Sequence, residues 1–174
     1  MSANATAMPR PDLDARRARF ADLLSAHQGL LRRLAWGFAR DPADHADLLQ
    51  DMAVQLWAVF AQWDGERAFS TWARRVALNV ALGRKRSAPP PPGGHDEAHA
   101  QAPDAARTPD EDALLHQLRR AIDGLDALNR ALLLLHLDDV GYREIGEILG
   151  LSESNVGVRL NRLKQRLRAQ WEIT

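Results

Sequence analysis

The chain has 174 residues, with 23 lysines and arginines against 23 aspartates and glutamates, no cysteine and a formal net charge of zero. That length suits one ordinary domain or two small ones, and the lack of cysteine excludes disulfides and thiolate metal sites. No apolar run approaches the roughly 18 residues needed to cross a bilayer, and the N-terminus lacks a basic-then-apolar leader pattern, so a cytoplasmic protein without membrane insertion is expected.

Residues 1–13 are small and polar and include Pro9 and Pro11, which predicts a disordered N-terminus. A helical pattern then runs from about Leu13 to Ala39. Pro42 lies just past its end and opens the next helix, with Asp41 as its cap. In that helix Leu49, Met52, Leu56 and Val59 or Phe60 recur at helical spacing and predict one buried stripe. Trp63-Asp64-Gly65-Glu66 reads as a turn. A further helix covers about Phe69 to Arg86, with Phe69, Trp72, Val76 and Val80 facing inward. Gly83 weakens it by about 1 kcal/mol relative to alanine and can end it early. Residues 67–86 carry Arg67, Arg74, Arg75, Arg84, Lys85 and Arg86 and no acid, whereas Asp41, Asp44, Asp47 and Asp51 cluster on the preceding helix. Screening within about 10 Å makes such local patches, not the net charge, what a phosphate meets.

Residues 87–112 contain four consecutive prolines (Pro89 to Pro92), Gly93-Gly94, Pro103, Pro109 and six acids. No apolar periodicity survives there, so a flexible Pro-rich linker is expected, stiffened over Pro89–Pro92. Its 26 residues reach roughly 85 Å when fully extended. One turn of DNA is about 34 Å, so two tethered domains could contact sites one or two turns apart. His95-x3-His99 lies in this linker without a third nearby ligand, and no metal site is expected.

The remainder, 113–174, reads as a second helical domain. Leu114, Leu115, Leu118, Ile122 and Leu125 give one helix, and Arg130 to Leu137 another. Gly141 to Leu160 then reads as a helix-turn-helix. A short apolar helix stops at Gly150, and Ser152 caps a second helix carrying Arg159, Arg162, Lys164, Arg166 and Arg168. Two helices across a tight glycine-containing turn are the geometry that lays a recognition helix in a major groove. Val156, Leu160, Leu163 and Leu167 form its core stripe. Ser154, Asn155, Val158, Arg159 and Arg162 are left for base edges, where arginine suits guanine and asparagine suits adenine. Lys164 and, from the preceding helix, Arg143 complete the expected duplex-binding set. The fold class is thus all-α: a first domain over 14–86, a linker over 87–112, and a helix-turn-helix domain over 113–174.

The first domain contains Asp47-Leu48-Leu-Gln50-Asp51 running to Trp57, then Gly65, then Phe69-Ser-Thr-Trp72-Ala-Arg-Arg75-Val-Ala-Leu-Asn79. With the helix-turn-helix that follows, this resembles the bacterial RNA polymerase sigma factors of the extracytoplasmic-function class of the sigma-70 family. The resemblance covers about 25–86 and 114–168. It implies that Asp47, Leu48, Gln50 and Asp51 dock on core RNA polymerase. It implies that the melted −10 element is held by Asp64, Gly65, Arg67, Trp72, Arg74, Arg75, Asn79, Arg84, Lys85 and Arg86, and that Arg143, Ser154, Asn155, Val158, Arg159, Arg162 and Lys164 meet the −35 element. Core polymerase, promoter DNA and an anti-sigma factor are the implied partners. Neither a cofactor nor catalytic residues are implied, since there is no nucleophile–base set, phosphate loop or dense carboxylate site. The chain departs from the family pattern at Arg74, commonly tyrosine, and at Gly157 and Val158, often lysine and serine or threonine, so unusual −35 specificity is expected. A conventional helix-turn-helix regulator acting without polymerase is the alternative, and it has no need of the Asp47-x-x-Gln50-Asp51 and Phe69-x-Thr-Trp72 motifs.

Overall fold

The computed structural model describes residues 10–87 and 109–171. Among them are eight α-helices, one 3-10 turn and no strand. No described helix is long and apolar enough to cross a membrane.

The expected first helix is two: α1 (Arg10–Ala26) and α2 (Gln28–Phe38). They part at His27, whose backbone leaves the helical region at φ −113 and ψ 12 and whose Nδ1 lies 2.8 Å from the Leu23 carbonyl. Residues 10–13, expected to be disordered, are the first turn of α1, because Pro11 falls where a missing N–H breaks no intrahelical bond. Residues 1–9 lie outside the described residues.

α3 (Pro42–Val59) starts as its sequence dictates. Pro42 is its first residue, and the Asp41 carboxylate accepts from the Asp44 N–H at 2.7 Å. A 3-10 turn (Phe60–Gln62) and a loop lead to α4 (Phe69–Ser87). α4 runs through Gly83, where an added Cβ would meet nothing within 4 Å. Its buried face is Phe69, Ala73, Ala77, Leu78 and Ala81, with Trp72, Val76 and Val80 only half-buried beside it. Phe20, Trp57, Phe60, Trp63, Phe69 and Trp72 interlock with ring centroids 5.1 to 6.4 Å apart, separations at which edge and offset packing is favourable.

α5 (Pro109–Asp123) begins inside the stretch read as linker, and 88–108 lie outside the described residues. α6 (Ala127–Leu137), capped by Asp126, is buried continuously from Arg130 to Leu135. Such all-round burial needs partners on both sides. One is α8 (Glu153–Trp171), reached through α7 (Tyr142–Leu149); the other is α2, in the first domain. The two domains are therefore docked: α2 meets α5 and α6, α4 meets α6 and α7, and the buried apolar side chains form one continuous core.

Candidate nucleic-acid interface

The turn between α7 and α8 is built from backbone constraints. Gly150 ends α7 in the left-handed region at φ +71, where glycine carries no Cβ penalty. The Leu151 N–H donates to the Gly146 carbonyl at 2.9 Å. A Cβ at Gly146 would sit 2.6 Å from the Leu151 carbonyl oxygen, so the turn lies directly on α7. The Ser152 hydroxyl accepts from the Asn155 N–H at 3.3 Å, which confirms the expected cap.

Val156, Leu160, Leu163 and Leu167 are buried as the spacing predicts. On the opposite side Asn155, Val158, Arg159, Arg162 and Arg166, with the edge of Leu163 and Asn129 of α6, line an open depression of about 290 Å³. Arg159 Nε donates to Asn155 Oδ1 at 3.0 Å, which engages the amide oxygen of Asn155 and not its nitrogen. Val158 is half exposed, an apolar group among donors. This face offers guanidinium forks, an amide and a methyl-reading surface together. Ser154 is exposed at its rim, 3.2 Å from the Ser152 hydroxyl. Arg143 extends from α7 into solvent beside Glu147, 3.4 Å away.

Lys164 does not join that face. It points toward α6, where burial, with the Lys164 charge second, holds the His136 imidazole below its ordinary pKa. Arg166 and Asn129 do join it. Arg166 lies four residues beyond Arg162 and eleven beyond Asn155, a spacing legible in the sequence. Asn129 arrives from another helix and carries no such signal.

On the first domain Asp47, Gln50 and Asp51 are exposed along one stripe of α3. Leu48 does not share it. At 3 % exposure it belongs to the core stripe with Met52 and Leu56, so it is corrected from docking residue to packing residue. Val54, 61 % exposed and three residues beyond Asp51, extends the stripe and was missed because an exposed valine has no polar signature.

The cations of α4 divide into two groups. Arg75 and Asn79 are exposed one turn apart, and the loop bearing Asp64, Gly65 and Arg67 is exposed beside α4. Gly65 has φ +79, the Asp64 carboxylate accepts from the Glu66 N–H at 2.9 Å, and Trp63 Nε1 donates to the Arg67 carbonyl at 3.0 Å, which fixes the loop. Arg74 and Arg84 are paired within the protein. Arg84 lies 3.2 Å from Asp44 and 3.6 Å from Asp51. Burial raises the Asp44 pKa, but the Arg40 N–H, the Arg40 guanidinium and Arg84 outweigh it and hold the carboxyl below its usual value. Arg74 lies 3.4 Å from Asp138 and 3.3 Å from Glu144, both on the second domain. Trp72 is part of the aromatic cluster, as a core tryptophan would be. Lys85 and Arg86 fall on the last turn of α4, their side chains outside the described ones.

Comparison with known proteins matches residues 23–88 to the family described as Sigma-70 region 2 and residues 115–167 to the family described as Sigma-70, region 4. A probable RNA polymerase sigma factor, RfaY of Xanthomonas campestris pv. campestris, is 30% identical over 158 residues, which take in 86% of this chain but 39% of that protein. The ECF RNA polymerase sigma factor SigW of Bacillus subtilis is 23% identical over 164 residues, 87% of this chain and 88% of that one. SigM of Mycobacterium tuberculosis, also an ECF sigma factor, is 29% identical over 158 residues, 87% and 76% of the two chains. The chain thus spans well under half of RfaY and most of SigW and SigM. Two solved structures share the fold at a TM-score of 0.67: CnrH in complex with the cytosolic domain of CnrY (22% identity, 90% of each chain) and RpoE in complex with the anti-sigma factor NepR from Bartonella quintana (18% identity, 89% of this chain and 98% of that one).

Proposed function

The chain belongs to the sigma-70 family, in its extracytoplasmic-function class, and from that premise we propose that it directs core RNA polymerase to specific promoters and assists their melting. One observation carries the reading: a single chain presents an acidic stripe on its first domain (Asp47, Gln50, Asp51) and a basic base-reading face on its second (Asn155, Arg159, Arg162). A stand-alone duplex-binding regulator needs only the second.

The division of labour follows from chemistry. The acidic stripe, with Val54 beside it, docks on basic groups of core polymerase. α8 enters the major groove at the −35 element: Arg159 and Arg162 donate to guanine, Asn155 to adenine, Val158 packs on a thymine methyl, and Arg166 with Arg143 binds phosphate. A melted −10 strand requires a site that prefers single strands, a basic track for the backbone and a pocket for an unstacked base. Arg75, Asn79, Arg67 and the Asp64–Gly65 turn supply the track and the edge of that pocket, and Arg74 and Arg84 add to it once released from their internal partners. RNA synthesis is the polymerase's own chemistry, and no catalytic role is assigned to this chain. A protein inhibitor of the anti-sigma kind is a further proposed partner, in keeping with the fold shared with RpoE, solved with NepR.

The test is transcription in vitro with core polymerase on fragmented genomic DNA, with sequencing of transcript starts. Starts that depend on this protein and share two upstream motifs at fixed spacing are expected. Duplex binding without co-elution with core polymerase would overturn the reading.

A further inference from the structure

Two arginines of α1 stand where the family match does not reach. The match to Sigma-70 region 2 begins at residue 23, and α1 runs from Arg10 to Ala26, so Arg16 and Arg19 precede it. Three residues apart, they share one face of the helix. That face lies on the aromatic cluster. The Arg16 guanidinium sits over the rings of Trp57, at 5.2 Å, and Phe60, at 5.8 Å, and the Arg19 guanidinium over Trp63 at 5.1 Å. Phe20, the buried neighbour of Arg19, anchors the helix there, its ring 5.2 Å from Trp57 and 5.1 Å from Phe60.

Neither arginine is neutralised by a carboxylate: the ion pair of α1 among the described residues joins Arg17 to Asp14, at 3.8 Å. An arginine over a ring uses the face of its guanidinium and keeps the N–H groups around its edge. Arg19 is exposed, so those donors are open to an anion, and phosphate matches their fork. Trp63 fixes where they stand. Its Nε1–H donates to the Arg67 carbonyl at 3.0 Å, and its ring packs on Phe60, Phe69 and Trp72 with centroids 5.3 to 6.2 Å apart. One indole thus carries Arg19 on its ring and the Arg67 backbone on its edge, and α1 and the loop present cations around a single side chain. Asp64 and Glu66 are exposed on the same loop. Their charges cancel any broad attraction to polyanions, so an anion is held here by directed contacts.

We propose that Arg19, seated on Trp63, with Arg16 beside it, binds phosphates of the opened promoter strand next to the Asp64–Arg67 loop, and so extends the strand track of α4 onto α1. The proposal rests on the sigma-factor reading, which gives that loop to the −10 strand. Single strands are held by basic groups and aromatic rings together, and here the two are already assembled. The ring contact also orders a long side chain before the strand arrives, which lowers the entropy lost on binding.

A promoter is taken from the mapped transcript starts. The full chain with core polymerase is titrated, across a salt series, onto a fork DNA carrying the duplex −35 element and an unpaired −10 strand, and onto a duplex that stops upstream of the −10 element. Arg19→Gln is expected to weaken fork binding several-fold and to flatten the slope of log K against log salt by about 0.7, the value for one phosphate contact on a single strand. Arg16→Gln added to it is expected to double that loss, to about 1.4. Binding to the shorter duplex should not change. Arg19→Lys, which keeps the charge and the ring contact, should restore the slope. Arg17→Gln, on the same helix but paired with Asp14, should match the native protein. A lower Tm with a native slope in Arg19→Gln would reduce this arginine to a cover for Trp63 and overturn the proposal. Equal weakening on both DNAs would overturn it too, as would weaker binding to core polymerase with an unchanged fork slope. A native protein that yields no mapped starts and binds neither DNA with core polymerase would instead refute the sigma-factor reading.

Discussion

Two glycines of the helix-turn-helix make opposite predictions from the same substitution. A Cβ at Gly157 would meet only the Tyr142 ring, at 3.7 Å, an ordinary contact. Alanine is favoured over glycine inside a helix by about 1 kcal/mol, so Gly157→Ala is expected to stabilise α8 by that amount. For a chain of this size that corresponds to a rise in Tm of about 2–4 °C. At Gly146 the same methyl would lie 2.6 Å from the Leu151 carbonyl oxygen, a backbone atom that cannot rotate away. Relief requires the turn to lift from α7, which disrupts the Leu151 N–H to Gly146 carbonyl bond of 2.9 Å. Overpacking costs about 1–3 kcal/mol and a lost hydrogen bond about 1 kcal/mol, set against the helix gain of about 1 kcal/mol. The net is a destabilisation of about 1–3 kcal/mol, or a Tm lower by roughly 2–12 °C. Thermal melts by circular dichroism measure both. Duplex binding by fluorescence anisotropy should fall only for Gly146→Ala, because the lifted turn re-aims α8. A Gly146→Ala protein as stable as Gly157→Ala, with unchanged duplex affinity, would refute the claim that this contact sets the recognition helix.

Three further outcomes follow from the placement of side chains. Reversing the acidic stripe with Asp47→Lys and Asp51→Lys should weaken co-elution with core polymerase by at least about tenfold with the fold intact, whereas Leu48→Ala should instead lower urea stability by about 2–5 kcal/mol. On α8, Arg162→Ala and Arg166→Ala should each weaken duplex binding, and every phosphate contact removed should flatten the slope of log K against log salt by about 0.9; Lys164→Ala, which faces α6, should leave that slope unchanged. Asp44 has a folded pKa below the ordinary 3.8, so the unfolded chain takes up a proton first as pH falls: its contribution is complete above 3.8 and is lost as pH drops through the folded value. Urea melts of Asp44→Asn should therefore show a shallower acid limb below that pH than the native protein.

Local chemistry was legible wherever a few residues suffice to specify it. Asp41-Pro42 opened α3 and Gly150 with Ser152 closed the helix-turn-helix turn, because a cap or a left-handed residue acts over three or four positions. The break at His27 was not legible, since the nearby Gly29 falls inside the first turn of α2 and the apolar pattern crosses the break. The stripe of α3 was read one residue out: 49, 52, 56 and 48, 52, 56 both fit a 3.6-residue period, and only the packing of α2 and α4 against α3 selects Leu48. Asn129 at the reading face, and Gly37 and Arg130 at the domain contact, depend on helices distant in sequence and have no signal within their own.

The zero net charge takes on a different meaning once the domains are docked. The cations of α4 appeared in the sequence as an acid-free run from 67 to 86, a free basic track. In the fold two of them are matched by acids from outside that run: Arg84 by Asp44 and Asp51 of α3, Arg74 by Asp138 and Glu144 of the second domain. The arginines of α8, by contrast, stay at the surface around an open depression. Charge is thus segregated along the chain and then selectively neutralised in space. The domain suited to duplex keeps its field, and the face suited to single strands is partly quenched by the other domain. Contact with a duplex at the α8 depression then requires no rearrangement, while Arg74 becomes available to another partner only when its pairs with Asp138 and Glu144 break.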